Sequence, residues 1–175
     1  SVVLGVGQFC TNPGMLIYQS SDENFKPSLK TAFEKTTGGV MLAPYILNAY
    51  NAGLKQHLAV SGVEKLAASV AETAFGSNVA VPVLLSANRD VFNSNPLLSE
   101  EIFGPTGIAI PVTTKSEMLA IAENLSGHLT ATVHGTDDEL IEYKALIDIL
   151  EQKAGRVIVN GFPTGVEVCS SMVHG

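Results

Sequence analysis

The sequence predicts an α/β fold in which a mostly parallel, open β-sheet is flanked by helices. In the second half of the chain, short apolar strands alternate with helices that begin at clear capping residues. This alternation is typical of consecutive βαβ units, because parallel neighbours need a crossover connection. Hydrophobic residues make up 46% of the 175 residues, which is enough to bury a domain core.

In the first half of the chain, apolar periodicity predicts one strand and then two helices. Residues 15–19 read as the strand, and residues 26–35 and 44–58 read as the helices. Pro27 fits the opening turn of the first helix, where a missing N–H costs nothing.

The pattern that follows is less regular. Residues 63–75 have helical spacing, but a strand at residues 64–68 also fits. Residues 79–87 read as a strand, and Pro82 within it predicts an edge or bulged position, because proline cannot donate to the ladder.

Two helices of the second half begin at capping boxes. Thr114 with Glu117, and Thr136 with Glu139, place a hydroxyl and a carboxylate three residues apart, which satisfies the free N–H groups of a first turn. Glycines are expected to end these helices near residue 127 and at residue 155. The strands around them are residues 107–112, with Pro111 at a strand end or edge, 129–134 and 156–160.

The chain is poor in charge and acidic in balance. Charged residues form 15% of it, against about 25% in an average soluble domain. We therefore expect an unusually apolar surface, or a surface covered by something absent from this sequence. The net charge of −7 disfavours nucleic acid or an anionic membrane as the main partner, and no apolar stretch is long enough to span a membrane.

The chain contains two cysteines and four histidines, and their spacing is not that of a structural zinc site. Cys10 and Cys169 cannot form a disulfide framework, so the composition indicates a reduced, intracellular protein. No signal peptide is visible. The chain begins at Ser1 rather than Met, from which we expect a cut or processed end.

Cys10 lies in the most informative segment, GVGQFCTNPG, whose glycines and proline permit a tight turn. Such a turn can present a sulfur and its own backbone N–H to a small ligand, as a cysteine nucleophile requires. A small buried hydrophobe is the alternative. A self-contained cysteine hydrolase or acyltransferase would also need a histidine base. The candidate bases are His57, His128, His134 and His174.

Three segments resemble the aldehyde dehydrogenase superfamily. GQFC at residues 7–10 resembles its catalytic-cysteine motif, EEIFGP at 100–105 its cofactor-side motif, and GRVIVNG at 155–161 the strand leading into its substrate loop. Their order and spacing match across essentially the whole chain. TNPG after the cysteine and residues 160–175 resemble the branch with 2,5-dioxovalerate (α-ketoglutarate semialdehyde) dehydrogenases and a bacterial fatty-aldehyde dehydrogenase, which usually prefers NADP.

The resemblance implies the family's catalytic-domain fold, a cytoplasmic location, and oxidation of an aldehyde to a carboxylic acid with NADP or NAD. Cys10 would attack the aldehyde to form a thiohemiacetal, and hydride transfer would leave a thioester for water to hydrolyse. Glu101 would accept hydrogen bonds from the ribose on the nicotinamide side, and Phe103 would pack near the nicotinamide. Glu100 is expected to be solvated.

The resemblance also concerns the end of the chain. Asn160 would begin the loop that lines the aldehyde tunnel, and Phe162 would belong either to the tunnel wall or to the core. The same two interpretations apply to Phe9, beside the nucleophile. Cys169 is expected to be structural, because nothing in the sequence offers it an activating partner.

In the family, the general base, an oxyanion-hole asparagine and the dinucleotide-binding domain precede the catalytic cysteine. Only nine residues precede Cys10, and no glycine-rich phosphate loop follows a strand. The resemblance therefore implies that residues 1–175 are a single catalytic domain, inactive alone, whose partners are the missing dinucleotide-binding domain and, in the full enzyme, further copies in a homo-oligomer. A non-catalytic α/β interaction module stays open as another alternative.

Overall fold

The computed structural model describes residues 1–70, 76–165 and 170, and within them the chain divides into two compact units. The four-stranded unit consists of Val2–Gln8 and Pro13–Thr113. The two-stranded unit consists of Ser1, Phe9–Asn12 and the chain from Thr114 onward. Cys169 and His174 lie outside the described residues.

The four-stranded unit is built on a mixed sheet with helices packed against it. Its strands are β1 (Met15–Gln19), β2 (Gly39–Val40), β3 (Val63–Ala68), β4 (Val79–Ala80), β5 (Val83–Ala87) and β6 (Thr106–Val112), and its helices are α1 (Phe25–Glu34), α2 (Pro44–Leu58) and α3 (Arg89–Ser94). The sheet order is β1-β6-β5-β3, with β1, β6 and β5 parallel and β3 antiparallel to β5. β2 and β4 form a separate antiparallel pair.

Two apolar clusters form the core of this unit. Phe33 of α1 packs with Tyr18 and Leu84 on the main sheet. Tyr50 of α2 packs with Met41 and Ala80 beside the small sheet. The strand at 15–19 and the helix at 44–58 are confirmed at the predicted bounds, and the helix around Pro27 begins one residue earlier than predicted, at Phe25.

Two expectations for this half of the chain are corrected. The helical interpretation of residues 63–75 is wrong at residues 63–68, which pair with β5 as a strand, close to the alternative at 64–68 that the pattern allowed. Residues 71–75 of that interpretation lie outside the described residues. The strand expected at 79–87 breaks at Pro82 into β4 and β5, which join different sheets. β5 is buried along its length and paired on both sides, so its predicted edge position is also wrong. Pro111 does lie near a strand end, beyond the residues of β6 that pair with β5.

The two-stranded unit alternates helices and parallel strands as predicted. Its elements are α4 (Lys115–Asn124), β7 (His128–Val133), α5 (Asp137–Glu142), α6 (Lys144–Lys153) and β8 (Ala154–Val159). β7 and β8 are parallel, and Ala122, Leu146 and Leu150 form the core beneath them. The α/β class with a mostly parallel arrangement is thus confirmed, although β6 and the β7–β8 pair lie in different sheets.

The helix predicted after Thr136 is interrupted at Tyr143, which has φ −92° and ψ 20° and separates α5 from α6. The Lys115 ammonium lies 5.1 Å from the Tyr143 ring centroid and donates to the Glu142 carbonyl, so it stabilises this break. The capping box at Thr136 and Glu139 is complete. Among the described helices, none has both the length and the apolar character needed to cross a membrane.

Candidate active site

A tight left-handed turn in the four-stranded unit leads to the cysteine. Gly5, Val6 and Gly7 follow one another with φ values of 56°, 56° and 66°. Glycine adopts this conformation freely, but for β-branched Val6 it costs on the order of 1–3 kcal/mol. Interactions elsewhere must therefore hold the turn in place.

Packing and hydrogen bonds within the same unit supply that support. The Val6 side chain packs against the cluster of Met41, Tyr50 and Ala80. It also lies over Gly39, where an added Cβ would come within 2.6 Å of Val6 Cγ2. The amide of Gln8 accepts from the Leu42 N–H at 3.0 Å and donates to the Gly5 carbonyl at 3.2 Å. The segment before Cys10 is thus fixed by its neighbours.

Cys10 itself lies in a short exposed turn of the two-stranded unit. The Asn12 N–H donates to the Phe9 carbonyl at 3.0 Å, which closes four residues with Cys10 second among them. The thiol is exposed, so Cys10 is not the buried hydrophobe that was the alternative. Within the part of the chain that the structure describes, the Cys10 N–H donates to no acceptor. The Cys10 thiol is thus accessible to a ligand.

The EEIFGP segment contacts α2, and the exposure of its residues alternates. Ile102 packs towards α2, because a Cβ added at Gly53 would lie 3.1 Å from its Cγ2. Gly104 is buried against Tyr50. Glu101 and Phe103, the residues between, are exposed, and Phe103 keeps 37% of its surface accessible. Both candidate cofactor residues are therefore accessible, on either side of the partly buried Ile102.

This donor set suits a nucleotide. An exposed carboxylate can accept two hydrogen bonds from vicinal hydroxyl groups, and an exposed aromatic ring beside it can pack on a flat heterocycle. Glu100 is exposed as well, but it precedes the alternation that Ile102 and Gly104 fix. The residues present thus fit the nicotinamide side of NADP or NAD.

Asn160 lies where β8 ends in the two-stranded unit, and its side chain closes that end. With φ 51°, it accepts from the Gly135 N–H at 3.0 Å and donates to the Gly135 carbonyl at 2.9 Å. Its own N–H donates to the Val133 carbonyl at 2.9 Å. Asn160 therefore joins the carboxyl ends of the two parallel strands, a role that the sequence pattern did not indicate.

Phe162 follows on the same side and is 67% exposed, so the core alternative for it is wrong. Its ring centroid lies 5.5 Å from that of His134. Cys10, Asn160 and Phe162 belong to the two-stranded unit, whereas Glu101 and Phe103 belong to the four-stranded unit. Phe9 is partly exposed as well.

None of the described histidines is paired with the Cys10 thiol. His57 is buried in α2, with Nδ1 3.0 Å from the Gly53 carbonyl oxygen. Burial lowers the pKa of His128. Neither His128 nor His134, which share the cysteine's unit, is hydrogen-bonded to Cys10, so nothing supports a cysteine–histidine pair there. Among the described residues, no three His, Cys, Asp or Glu side chains are grouped to hold a metal.

Comparison with known proteins places these features in a family context. The model of the "Aldehyde dehydrogenase family" matches residues 1–175. Alpha-ketoglutaric semialdehyde dehydrogenase 2 of Azospirillum brasilense is 38% identical over 177 residues, which covers 100% of this chain and 33% of that protein. The chain spans about a third of the length of the curated relatives it matches.

Solved structures show the same fold. Succinic semialdehyde dehydrogenase from Streptococcus pyogenes, in complex with NADP+, superposes with a TM-score of 0.76 at 20% identity, over 94% of this chain and 38% of that chain. Betaine aldehyde dehydrogenase from Staphylococcus aureus, in complex with NAD+, superposes with a TM-score of 0.72 at 18% identity, over 90% of this chain and 32% of that chain.

Proposed function

Because the chain belongs to the aldehyde dehydrogenase family, we propose that residues 1–175 are the nucleophile-bearing catalytic domain of an enzyme that oxidises an aldehyde to a carboxylic acid with NADP or NAD. The observation that carries this proposal is the exposed Cys10 thiol, which follows an anchored left-handed turn and whose backbone N–H has no acceptor among the described residues.

The chemistry at Cys10 follows from the nature of its sulfur. The thiolate attacks the aldehyde carbon and forms a carbon–sulfur bond, and the carbonyl electrons move to the oxygen. The Cys10 N–H donates to that oxyanion. Loss of hydride from the same carbon leaves a thioester on Cys10, and water then cleaves the carbon–sulfur bond to release the acid and restore the thiol.

NADP or NAD, when bound, would supply the acceptor for the hydride that leaves the aldehyde carbon. Glu101 would hold the ribose on the nicotinamide side by accepting from its hydroxyl groups, and Phe103 would pack beside the nicotinamide. The support for these roles is that both side chains are exposed. Asn160 and Phe162 contribute to the aldehyde side, Asn160 by fixing the loop that begins after β8.

The substrate we propose is a short dicarboxylic semialdehyde of the 2,5-dioxovalerate (α-ketoglutarate semialdehyde) type, with NADP as the preferred cofactor. The support for the substrate is the name of the Azospirillum relative and its 38% identity over the whole of this chain. The support for NADP is the resemblance of the motifs to the branch that usually prefers it. A long-chain fatty aldehyde is the alternative within the same branch. The two differ in chemistry, since only the first carries a carboxylate at the far end of a short carbon chain.

The full enzyme that we propose is longer than this chain. The general base, the oxyanion-hole asparagine and the dinucleotide-binding domain come from the additional polypeptide, and the complete protein forms a cytoplasmic homo-oligomer. The support is that the chain spans 33% of the curated relatives. By itself, the 175-residue chain is not expected to turn over.

The test compares two lengths of the protein. The protein encoded by the complete reading frame and the 175-residue chain are purified and assayed for NADPH or NADH formation with 2,5-dioxovalerate, succinic semialdehyde and a long-chain aldehyde. We expect only the complete protein to turn over, and to do so fastest with 2,5-dioxovalerate and NADP. Robust turnover by the isolated 175-residue chain would refute the proposal that it is one part of a longer enzyme. A complete protein inactive with every aldehyde would refute the function.

A further inference from the structure

Three residues from three distant parts of the sequence form a continuous stack inside the four-stranded unit. A Cβ added at Gly104 would lie 2.4 Å from Cδ2 of the Tyr50 ring, and a Cβ added at Gly7 would lie 2.2 Å from the carbonyl carbon and oxygen of Gly104. Both glycines have positive φ, 150° and 66°. No side chain fits at either interface, so Gly7 rests on Gly104 and Gly104 rests on the Tyr50 ring.

Tyr50 is fixed at both ends of its side chain. Its Cα belongs to α2, and its hydroxyl donates to the Val81 carbonyl at 2.7 Å. Only 1% of the residue is accessible, and Met41 and Ala80 pack around it. Burial raises the pKa of the Tyr50 hydroxyl far above its ordinary value, so the group stays protonated as a donor. The ring is therefore a firm base for the stack.

The stack joins the two motifs that carry the proposed chemistry. Gly104 directly follows Phe103 and lies three residues after Glu101. Gly7 lies three residues before Cys10, a reach of no more than about 11 Å for an extended chain. A shift of the Tyr50 ring would therefore move the backbone at Gly104, next to Phe103 and Glu101. It would also move the backbone at Gly7, in the turn that leads to Cys10.

We propose that Tyr50 is a positioning residue for the dehydrogenase reaction, which acts through Gly104 and Gly7 on the cofactor segment and on the cysteine segment. This inference rests on the proposed function and adds a residue that neither motif contains. It differs from a purely structural role, in which Tyr50 fills the core and its loss lowers stability without changing the site.

The first test uses Tyr50 variants of the protein encoded by the complete reading frame. Tyr50→Ala removes the base of the stack, and we expect kcat/KM to fall by roughly 100-fold, as for an ångström-scale misplacement of reacting groups, with KM for NADP raised. Tyr50→Phe keeps the ring and should retain most of the activity. Tyr45→Ala is the matched control, since Tyr45 lies in the same helix and is exposed.

The values of kcat and KM are measured only on protein that circular dichroism shows to be folded. The result therefore distinguishes a positioning role of Tyr50 from a role in stability. If the folded Tyr50→Ala enzyme has the parent's kcat and KM and merely unfolds at a lower temperature, the proposal is wrong. If Tyr50→Ala does not fold, Tyr50→Leu replaces it, with the same criteria.

The second test asks whether the stack itself transmits the effect. Gly104→Ala is introduced into the parent and into the Tyr50→Ala protein. Alanine at a φ of 150° is strained in both backgrounds, but only in the parent does the added methyl group also meet the Tyr50 ring. We therefore expect a larger loss of kcat/KM in the parent than without the ring. Equal losses in both backgrounds would overturn the proposal. Gly14→Ala is the control, because a Cβ there meets nothing within 4 Å.

A third measurement distinguishes failure of this inference from failure of the proposed function. The rate of Cys10 alkylation by iodoacetamide is followed by peptide mass spectrometry, which needs no aldehyde or cofactor and resolves Cys10 from Cys169. A changed rate in folded Tyr50→Ala, with Tyr45→Ala like the parent, supports the positioning role even if no aldehyde is oxidised. An unchanged rate and unchanged kinetics would contradict it.

Discussion

At the scale of single residues, the backbone is strained close to Cys10. Val6 is held at a φ of 56° although its side chain is β-branched, and packing with Met41, Tyr50 and Ala80 stabilises it there. Strain of this kind persists only where the surroundings determine the conformation. That it precedes the proposed nucleophile agrees with a segment shaped for function as well as for stability.

The two neighbouring glutamates provide a matched residue-scale prediction. Glu101→Gln replaces a carboxylate that accepts two hydrogen bonds with an amide that accepts fewer, so we expect KM for NADP to rise roughly tenfold, equivalent to about 1.4 kcal/mol. Glu100→Gln should leave KM unchanged. Steady-state kinetics on the complete protein decide the point. A rise confined to Glu100→Gln would show that the assignment belongs to the other carboxylate.

Asn160 offers a second prediction, which concerns the stability of the two-stranded unit. Asn160→Gly loses the two side-chain hydrogen bonds to Gly135 and should lower the free energy of unfolding by about 1 kcal/mol. Asn160→Ala also suffers from the positive φ and should lose roughly 2 kcal/mol. Urea unfolding measures both. Variants as stable as the parent would contradict the role of Asn160 in joining β7 and β8.

At the scale of elements, the helix start at Thr136 makes stability depend on pH. The Thr136 N–H and hydroxyl donate to the Glu139 carboxylate and lower its pKa below the ordinary value for glutamate. Because the Glu139 pKa is lower in the folded state, the ionised carboxylate stabilises the fold at pH values above its pKa in the unfolded state. That stabilisation is lost as the pH falls through its pKa in the folded state.

We therefore expect Glu139→Gln to reduce the melting temperature at pH 7 and to match the parent once the pH is below the lowered pKa. Thermal unfolding across this range measures the difference. Glu123→Gln, at an exposed position in α4, is the control and should show no such convergence. A Glu139→Gln deficit that persists at low pH would mean that charge is not the origin of the effect.

Elements with strong local signals could be predicted from sequence, and those decided by distant partners could not. The capping residues and apolar stripes of the second half predicted α4, β7 and β8. Residues 63–68 have helical spacing, yet pairing with β5 makes them a strand. The break at Pro82 assigns β4 and β5 to different sheets, which no local pattern reveals.

The candidate site divides in the same way. Motif resemblance predicted Cys10, Glu101 and Phe103, and the contacts of Ile102 and Gly104 with α2 accompany the exposure of Glu101 and Phe103. The contribution of Tyr50 could not be predicted, because it depends on glycine contacts between segments about 50 to 100 residues apart in sequence. The hydrogen bonds of Asn160 to Gly135 likewise join loops that follow different strands.

At the scale of the whole molecule, the scarcity of charge is accompanied by large apolar side chains in contact with solvent. Leu42 is 85% exposed and Tyr45 73% exposed, both near the start of α2. Exposed apolar surface favours association when no other polypeptide covers it. We therefore expect the isolated 175-residue chain to self-associate at high concentration. Light scattering from a monodisperse monomer across the concentration range would contradict this expectation.

The central claim is that Cys10 is the nucleophile of an aldehyde dehydrogenase. The most direct measurement compares the complete protein and its Cys10→Ser variant, with NADPH formation and the mass of the Cys10 peptide followed during turnover of 2,5-dioxovalerate. We expect the variant to lose roughly 10³-fold or more in kcat, as nucleophile replacements do, and the parent to carry a transient acyl adduct on Cys10. Undiminished turnover by a folded Cys10→Ser enzyme would contradict the account.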